Sequence, residues 1–101
     1  PTMSDENSET VPSTDKQLVL SRYLAEELKA LGLSDVELDD KGYLYATLPG
    51  NAEGEAIILS AHMDTVTPGV GVVPVIENGI IRSRGDTVLG GDDKSGIAAV
   101  I

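Results

Sequence analysis

Two short stretches hold most of the residues through which this chain could do chemistry. The first is Ser60-Ala61-His62-Met63-Asp64-Thr65-Val66, which contains the sole histidine of the sequence. His62 and Asp64 are two positions apart, so in extended backbone their side chains share a face. A carboxylate beside an imidazole fixes its tautomer and raises its basicity, as a metal-ligating histidine requires. Taken alone, His-x-Asp equally describes a surface histidine beside an aspartate. The second stretch is Leu89-Gly90-Gly91-Asp92-Asp93-Lys94-Ser95-Gly96. Its paired glycines permit unusual backbone. Two carboxylates follow where a helix begins, and the positive end of the helix dipole favours anions there. Capping alone would account for such an Asp-Asp pair. A phosphate-binding loop would not. Gly85 and Gly90 have its glycine spacing, but Gly91-Asp92-Asp93 stand where Lys-Ser must follow directly. Two carboxylates would also repel phosphate.

The elements that must position these stretches are legible in the periodicity. Leu20, Tyr23, Leu24, Leu28 and Leu31 recur at three- and four-residue steps and predict a helix over Asp15 to Leu31. Thr14 and Gln17 have capping-box spacing at its start, and Gly32 suits its C-terminal end. Val36 and Leu38 alternate with acidic residues and predict a strand. Asp40-Lys41-Gly42 reads as a turn into a second strand over Tyr43 to Leu48. Ala56-Ile57-Ile58-Leu59-Ser60-Ala61 is apolar almost throughout, the mark of a central strand buried on both faces. That strand delivers His62 at its carboxyl end, where ligands gather in open α/β sheets. Asn78-Gly79 joins strands over Val72 to Ile76 and Ile80 to Ser83 as a hairpin. A buried helix is expected to begin at Ser95, just after Asp92 and Asp93. The acidic opening, residues 1–12, reads as a flexible or loosely docked loop. The whole is an α/β pattern.

Composition narrows the function classes. The chain has 101 residues, room for one small domain. Seventeen acidic against seven basic side chains give a formal charge of −10, which argues against nucleic acid and anionic membrane surfaces as partners. Carboxylates do suit cations. With no cysteine, disulfides, thiolate zinc sites and cysteine nucleophiles are excluded. The lack of cysteine fits the cytoplasm. No apolar run reaches the roughly 18 residues of a membrane span. A start at Pro1 and an end inside an apolar run at Ile101 lead us to expect a fragment of a longer protein.

The order of these motifs is similar to that of a known family. A buried strand ending in SAHMDTVTPG (60–69), a hairpin at Glu77-Asn78-Gly79, and GDTVLGGDDKSGIAAVI (85–101) resemble the N-terminal part of the catalytic domain of the di-zinc exopeptidases, which include peptidase T, carboxypeptidase G and the aminoacylases. The DDKSGIAA form, KALGL (29–33) and KGYLYATLPGN (41–51) resemble the peptidase T branch most. The resemblance implies a three-layer αβα fold, of which residues 1–101 form the N-terminal portion, with the lid or dimerisation domain absent. It implies a zinc-dependent exopeptidase acting on small peptides, most closely an aminopeptidase on tripeptides, with two Zn2+ per complete site and a homodimeric full-length protein. Dipeptidase and N-acyl-amino-acid hydrolase activities occur in the same family. A non-enzymatic acidic α/β module is the reading from another class.

Residue by residue, His62 corresponds to a zinc ligand, Asp64 to the carboxylate that orients and tunes it in catalysis, and Asp92 to the bridge between both metals. The Asp92–Asp93 peptide is expected to be cis. The family's general base, a glutamate of a Glu-Glu pair, and its remaining ligands fall outside residues 1–101. Glu53 and Glu55, a Glu-x-Glu in a turn, are not assigned that role. The chain alone is therefore expected to be inactive.

Overall fold

The computed structural model describes residues 1–101. In chain order it contains helix α1 (Asp15–Ala30), strands β1 (Ser34–Leu38), β2 (Leu44–Thr47), β3 (Pro74–Glu77) and β4 (Ile80–Ser83), and helix α2 (Gly91–Val100). The strands form two separate antiparallel pairs, β1 with β2 and β3 with β4.

Helix α1 lies within a residue of its expected span, but its start is built differently. Thr14 has extended backbone, as a capping residue should, yet its side chain makes no cap bond. The hydroxyl donates instead to the Met3 carbonyl at 2.8 Å, and the Gln17 side-chain amide donates to the hydroxyl at 3.1 Å. The opening segment passes beside the helix start and offers that carbonyl, so tertiary contact displaces the capping box. The C-terminal end follows the sequence. Gly32 is left-handed at φ 83°, Gly32 N–H donates to Lys29 O, and Leu33 N–H donates to Leu28 O. This is the paired closure in which a glycine satisfies the last helical carbonyls.

Helix α1 packs on the β1–β2 hairpin. At the turn, the Asp39 carboxylate accepts from the Lys41 and Tyr43 amides at 3.0 and 2.8 Å. Ser21, fully buried on α1, places its hydroxyl 3.1 Å from the Gly42 carbonyl and ties helix to turn. Leu24 and Ala25 are the buried apolar side chains. The second hairpin has the expected two-residue turn. Asn78 and Gly79 take φ of 52° and 77°, and Glu77 pairs with Ile80. Successive left-handed residues match the twist of the flanking strands.

The run over Ala56 to Ala61 departs from expectation. It is not a strand here, and Ile57, Ile58 and Leu59 are 86%, 90% and 67% exposed. Both hairpins pair internally, and no other strand of these 101 residues lies alongside to accept it. A continuous apolar strand needs neighbours on both edges and layers on both faces. The result is an α/β arrangement in which one helix covers one hairpin, without a common sheet. Its radius of gyration, 15.7 Å, exceeds the about 13 Å of a compact domain of this length. Neither helix is long and apolar enough to cross a membrane.

Candidate metal centre

His62 leaves the apolar run and Asp92 opens α2, thirty positions later. The structure brings them together: His62 Nε2 lies 2.9 Å from Asp92 Oδ1. On the other side of the ring, Nδ1 lies 3.1 Å from both the Asp64 carbonyl and its Oδ1. One imidazole is thus held between two carboxylates, each on its own nitrogen. Its pKa is raised above the ordinary value near 6.5, first by the bond to Asp92; desolvation opposes this, and the bonds to and charge of Asp64 add to the rise. The centre is open to solvent. The Asp92 side chain is 95% exposed.

Asp92 and Asp93 have different jobs. The peptide between them is cis, and both lie outside helical backbone geometry. The regular part of α2 therefore starts at Lys94. Asp93 Oδ1 accepts the Gly96 amide at 3.0 Å, three residues on, which is N-cap geometry. A Cβ at Gly96 would collide with that carboxylate and push it off the Gly96 amide. With Asp93 committed to the cap, Asp92 is free to face His62. Gly90 takes φ 81° just before, a left-handed turn that glycine adopts without strain.

The donor set fits a borderline metal ion: one imidazole nitrogen and a carboxylate oxygen, with a second carboxylate fixing the ring from behind. The 2.9 Å between Nε2 and Oδ1 is close to the about 3.3 Å that two ligands of one tetrahedral zinc span. No group of three or more His, Asp or Glu side chains here has the geometry to hold a metal by itself.

Residues that the motif reading passed over also reach this site. The Lys94 ammonium donates to the Thr2 hydroxyl at 2.8 Å and to the Met63 carbonyl at 3.2 Å. Burial lowers its pKa from the ordinary range, and the charge of Asp64 opposes that shift. Thr2, in the segment expected to be a flexible or loosely docked loop, is only 6% exposed and donates to the same Met63 carbonyl at 2.7 Å. Met3 and Thr65 form a parallel bridge beside it. Nothing in residues 1–12 announced this contact. Lys94 was visible only as part of a motif.

No protein-family model matches the chain. Curated proteins do. Peptidase T of Brevibacillus brevis is 42% identical over 135 residues, covering 99% of this chain and 33% of that protein. Peptidase T of Shewanella halifaxensis is 40% identical over 132 residues, and peptidase T of Clostridium acetobutylicum 42% over 135, with like coverage. Over almost its whole length the chain is similar to peptidase T. It spans about a third of the length of these peptidase T relatives. Their matched stretches of 132 to 135 residues exceed the 101 of this chain, so peptidase T has some thirty positions here without a counterpart.

Proposed function

We propose that the protein carrying this chain is a zinc-dependent exopeptidase that releases the N-terminal residue of short peptides, tripeptides in particular. One observation carries the reading. His62 and Asp92, far apart in sequence and both within the stretch similar to peptidase T, meet at 2.9 Å with Asp64 behind the ring. A histidine that merely decorated the surface would not need a carboxylate on each nitrogen.

His62 Nε2 and Asp92 Oδ1 are the atoms that would hold metal. A pair of zinc ions supplies a polarised carbonyl and a water of lowered pKa in such a centre. The residues of this chain prepare it. With metal bound, Asp64 would accept from Nδ1 and leave the Nε2 lone pair for the ion; without it, Nε2 bonds to Asp92. Asp93 caps the helix and keeps that task away from Asp92. The further ligands and the general base belong to parts of the protein outside these residues. So does the completion of the three-layer αβα fold, in which Ala56 to Ala61 gains strands on both edges. Its unbroken apolar character supports that placement.

The test is hydrolysis of a tripeptide, a dipeptide and an N-acyl amino acid by the intact protein, before and after chelation. Zinc-restored cleavage of the tripeptide from its N-terminus is expected. Cleavage that survives chelation, or preference for either other substrate, overturns the corresponding part of the reading. Cleavage of none of the three leaves a binding module.

A further inference from the structure

Three hydrogen bonds close a triangle beneath the candidate centre. Lys94 Nζ donates to Thr2 Oγ1 at 2.8 Å, Thr2 Oγ1 donates to the Met63 carbonyl at 2.7 Å, and Lys94 Nζ reaches the same carbonyl at 3.2 Å. The donor count is consistent. The ammonium has three protons, the hydroxyl gives one and takes one, and the carbonyl offers two lone pairs. Met63 is the residue between His62 and Asp64, so this carbonyl sets the plane of the peptide between them. Lys94 stands two residues after Asp92 and reaches across from α2. The triangle therefore spans the two stretches that meet at the centre.

A backbone lattice extends it. Thr65 N–H donates to the Thr2 carbonyl at 3.0 Å, and Ser4 N–H donates to the Thr65 carbonyl at 2.9 Å. The Met3 sulfur accepts the Gly69 amide at 2.9 Å. Residues 2–4 thus lie along the loop that follows His62. His62 and Asp92 are both exposed at their tips. Asp92, 95% exposed, has little packing of its own to hold it in place, and the Lys94–Thr2–Met63 triangle ties its helix directly to the loop that carries His62. A single-point contact between the loops would leave a hinge. A triangle with a buried hydroxyl at one corner does not.

We propose that Lys94 is a positioning residue for this centre: with Thr2 it clamps the Met63 carbonyl and so holds His62 opposite Asp92. The inference rests on the metal-centre reading for its purpose, but the clamp itself can be tested without metal. Lysine is suited because its ammonium serves both acceptors from one point. Methionine of similar length keeps the apolar stem and loses both bonds.

The experiment uses the intact protein, unmodified and as Lys94→Met, Thr2→Val and Thr2→Ser. Metal-stripped samples are titrated with Co2+ and followed by visible absorption. Amide hydrogen exchange at Thr65 is measured without metal. Lys94→Met and Thr2→Val are expected to weaken Co2+ binding about 10- to 100-fold, as loss of an outer support of a metal site does. They are expected to speed Thr65 exchange about tenfold, as loss of one hydrogen bond would. Thr2→Ser, which keeps the hydroxyl, is expected to restore both values. Should Lys94→Met fail to fold, the contrast between Thr2→Val and Thr2→Ser decides alone. Faster exchange with unchanged Co2+ affinity makes the clamp structural only and overturns the positioning role. Unchanged exchange overturns the clamp. If the unmodified protein binds no Co2+, the metal reading fails, and Thr65 exchange in the variants still upholds or overturns the clamp.

Discussion

The apolar run over Ala56 to Ala61 and the loop over His62 to Thr65 are adjacent in sequence and opposite in fate. The run is apolar almost throughout, yet Ile57 and Ile58 lie almost bare in solvent. The loop is polar, yet it is held by Thr2, Ser4, Asp92 and Lys94 from both ends of the chain. Burial of apolar surface is non-directional and needs area, so a strand waits for a sheet to receive it. Hydrogen bonds are directional and need only the right atom at the right place, so a few short contacts can organise a centre before a core exists.

That contrast can be broken at several points. The largest effect is expected at the centre. Asp92→Ala in the intact protein should reduce kcat for a tripeptide by about 10²–10⁴, the several kcal/mol that metal-assisted charge stabilisation provides. Asp93→Ala should leave far more activity. Comparable loss in both would show that the two carboxylates do not divide the work as described.

Next is the apolar run. Ile58→Lys in the intact protein should cost about 3–5 kcal/mol in urea unfolding, the penalty of an unpaired charge in a buried strand. In the 101-residue chain the same substitution should fall within about 0.5 kcal/mol, as surface changes do. Equal effects in the two settings would mean that Ala56 to Ala61 is never buried.

A smaller effect tests the cap. Asp93→Ala should lower the stability of the intact protein by about 1 kcal/mol in thermal unfolding. Gly96→Ala should gain about as much from helix propensity as it loses by pushing the Asp93 carboxylate off the Gly96 amide. Its net effect should be near zero in the unmodified protein and stabilising by about 1 kcal/mol in the Asp93→Ala background. Additive behaviour would disprove the collision.

The smallest is a titration. In metal-free protein the His62 imidazole should titrate above its ordinary value near 6.5, and Asp92→Asn should move it down, as followed by its ring proton resonances. The sign is that of a raised pKa. The charged pair contributes below the unfolded value and is lost as pH rises through the folded one. Metal competes with that proton, so zinc affinity should climb over the same rise in pH.

Local structure was legible wherever its cause is local. The closure of α1 at Gly32, the Asn78-Gly79 hairpin and the Asp39–Gly42 turn each depend on residues a few positions apart. The ordered pair of motifs pointed to His62, Asp64 and Asp92, and the structure brings those three side chains together. Thr14 was misjudged because a second segment competes for its hydroxyl. The Ala56 to Ala61 strand did not form because no strand among these residues lies alongside to pair with it. Thr2 gave no sign at all, since a threonine in an acidic opening segment has no periodicity to mark it.

The sequence by itself determined which side chains could ligate, which turns close and which stretch is apolar almost throughout. Those properties reside in single residues and short spacings. Only the tertiary structure decided that Asp92 faces His62 while Asp93 caps a helix, and that Lys94 and Thr2 meet on the Met63 carbonyl. Identical neighbouring carboxylates carry no mark of their separate tasks. A contact between positions 2, 63 and 94 exists only once the chain has returned on itself, because its hydrogen bonds depend on distances that no spacing along the sequence encodes.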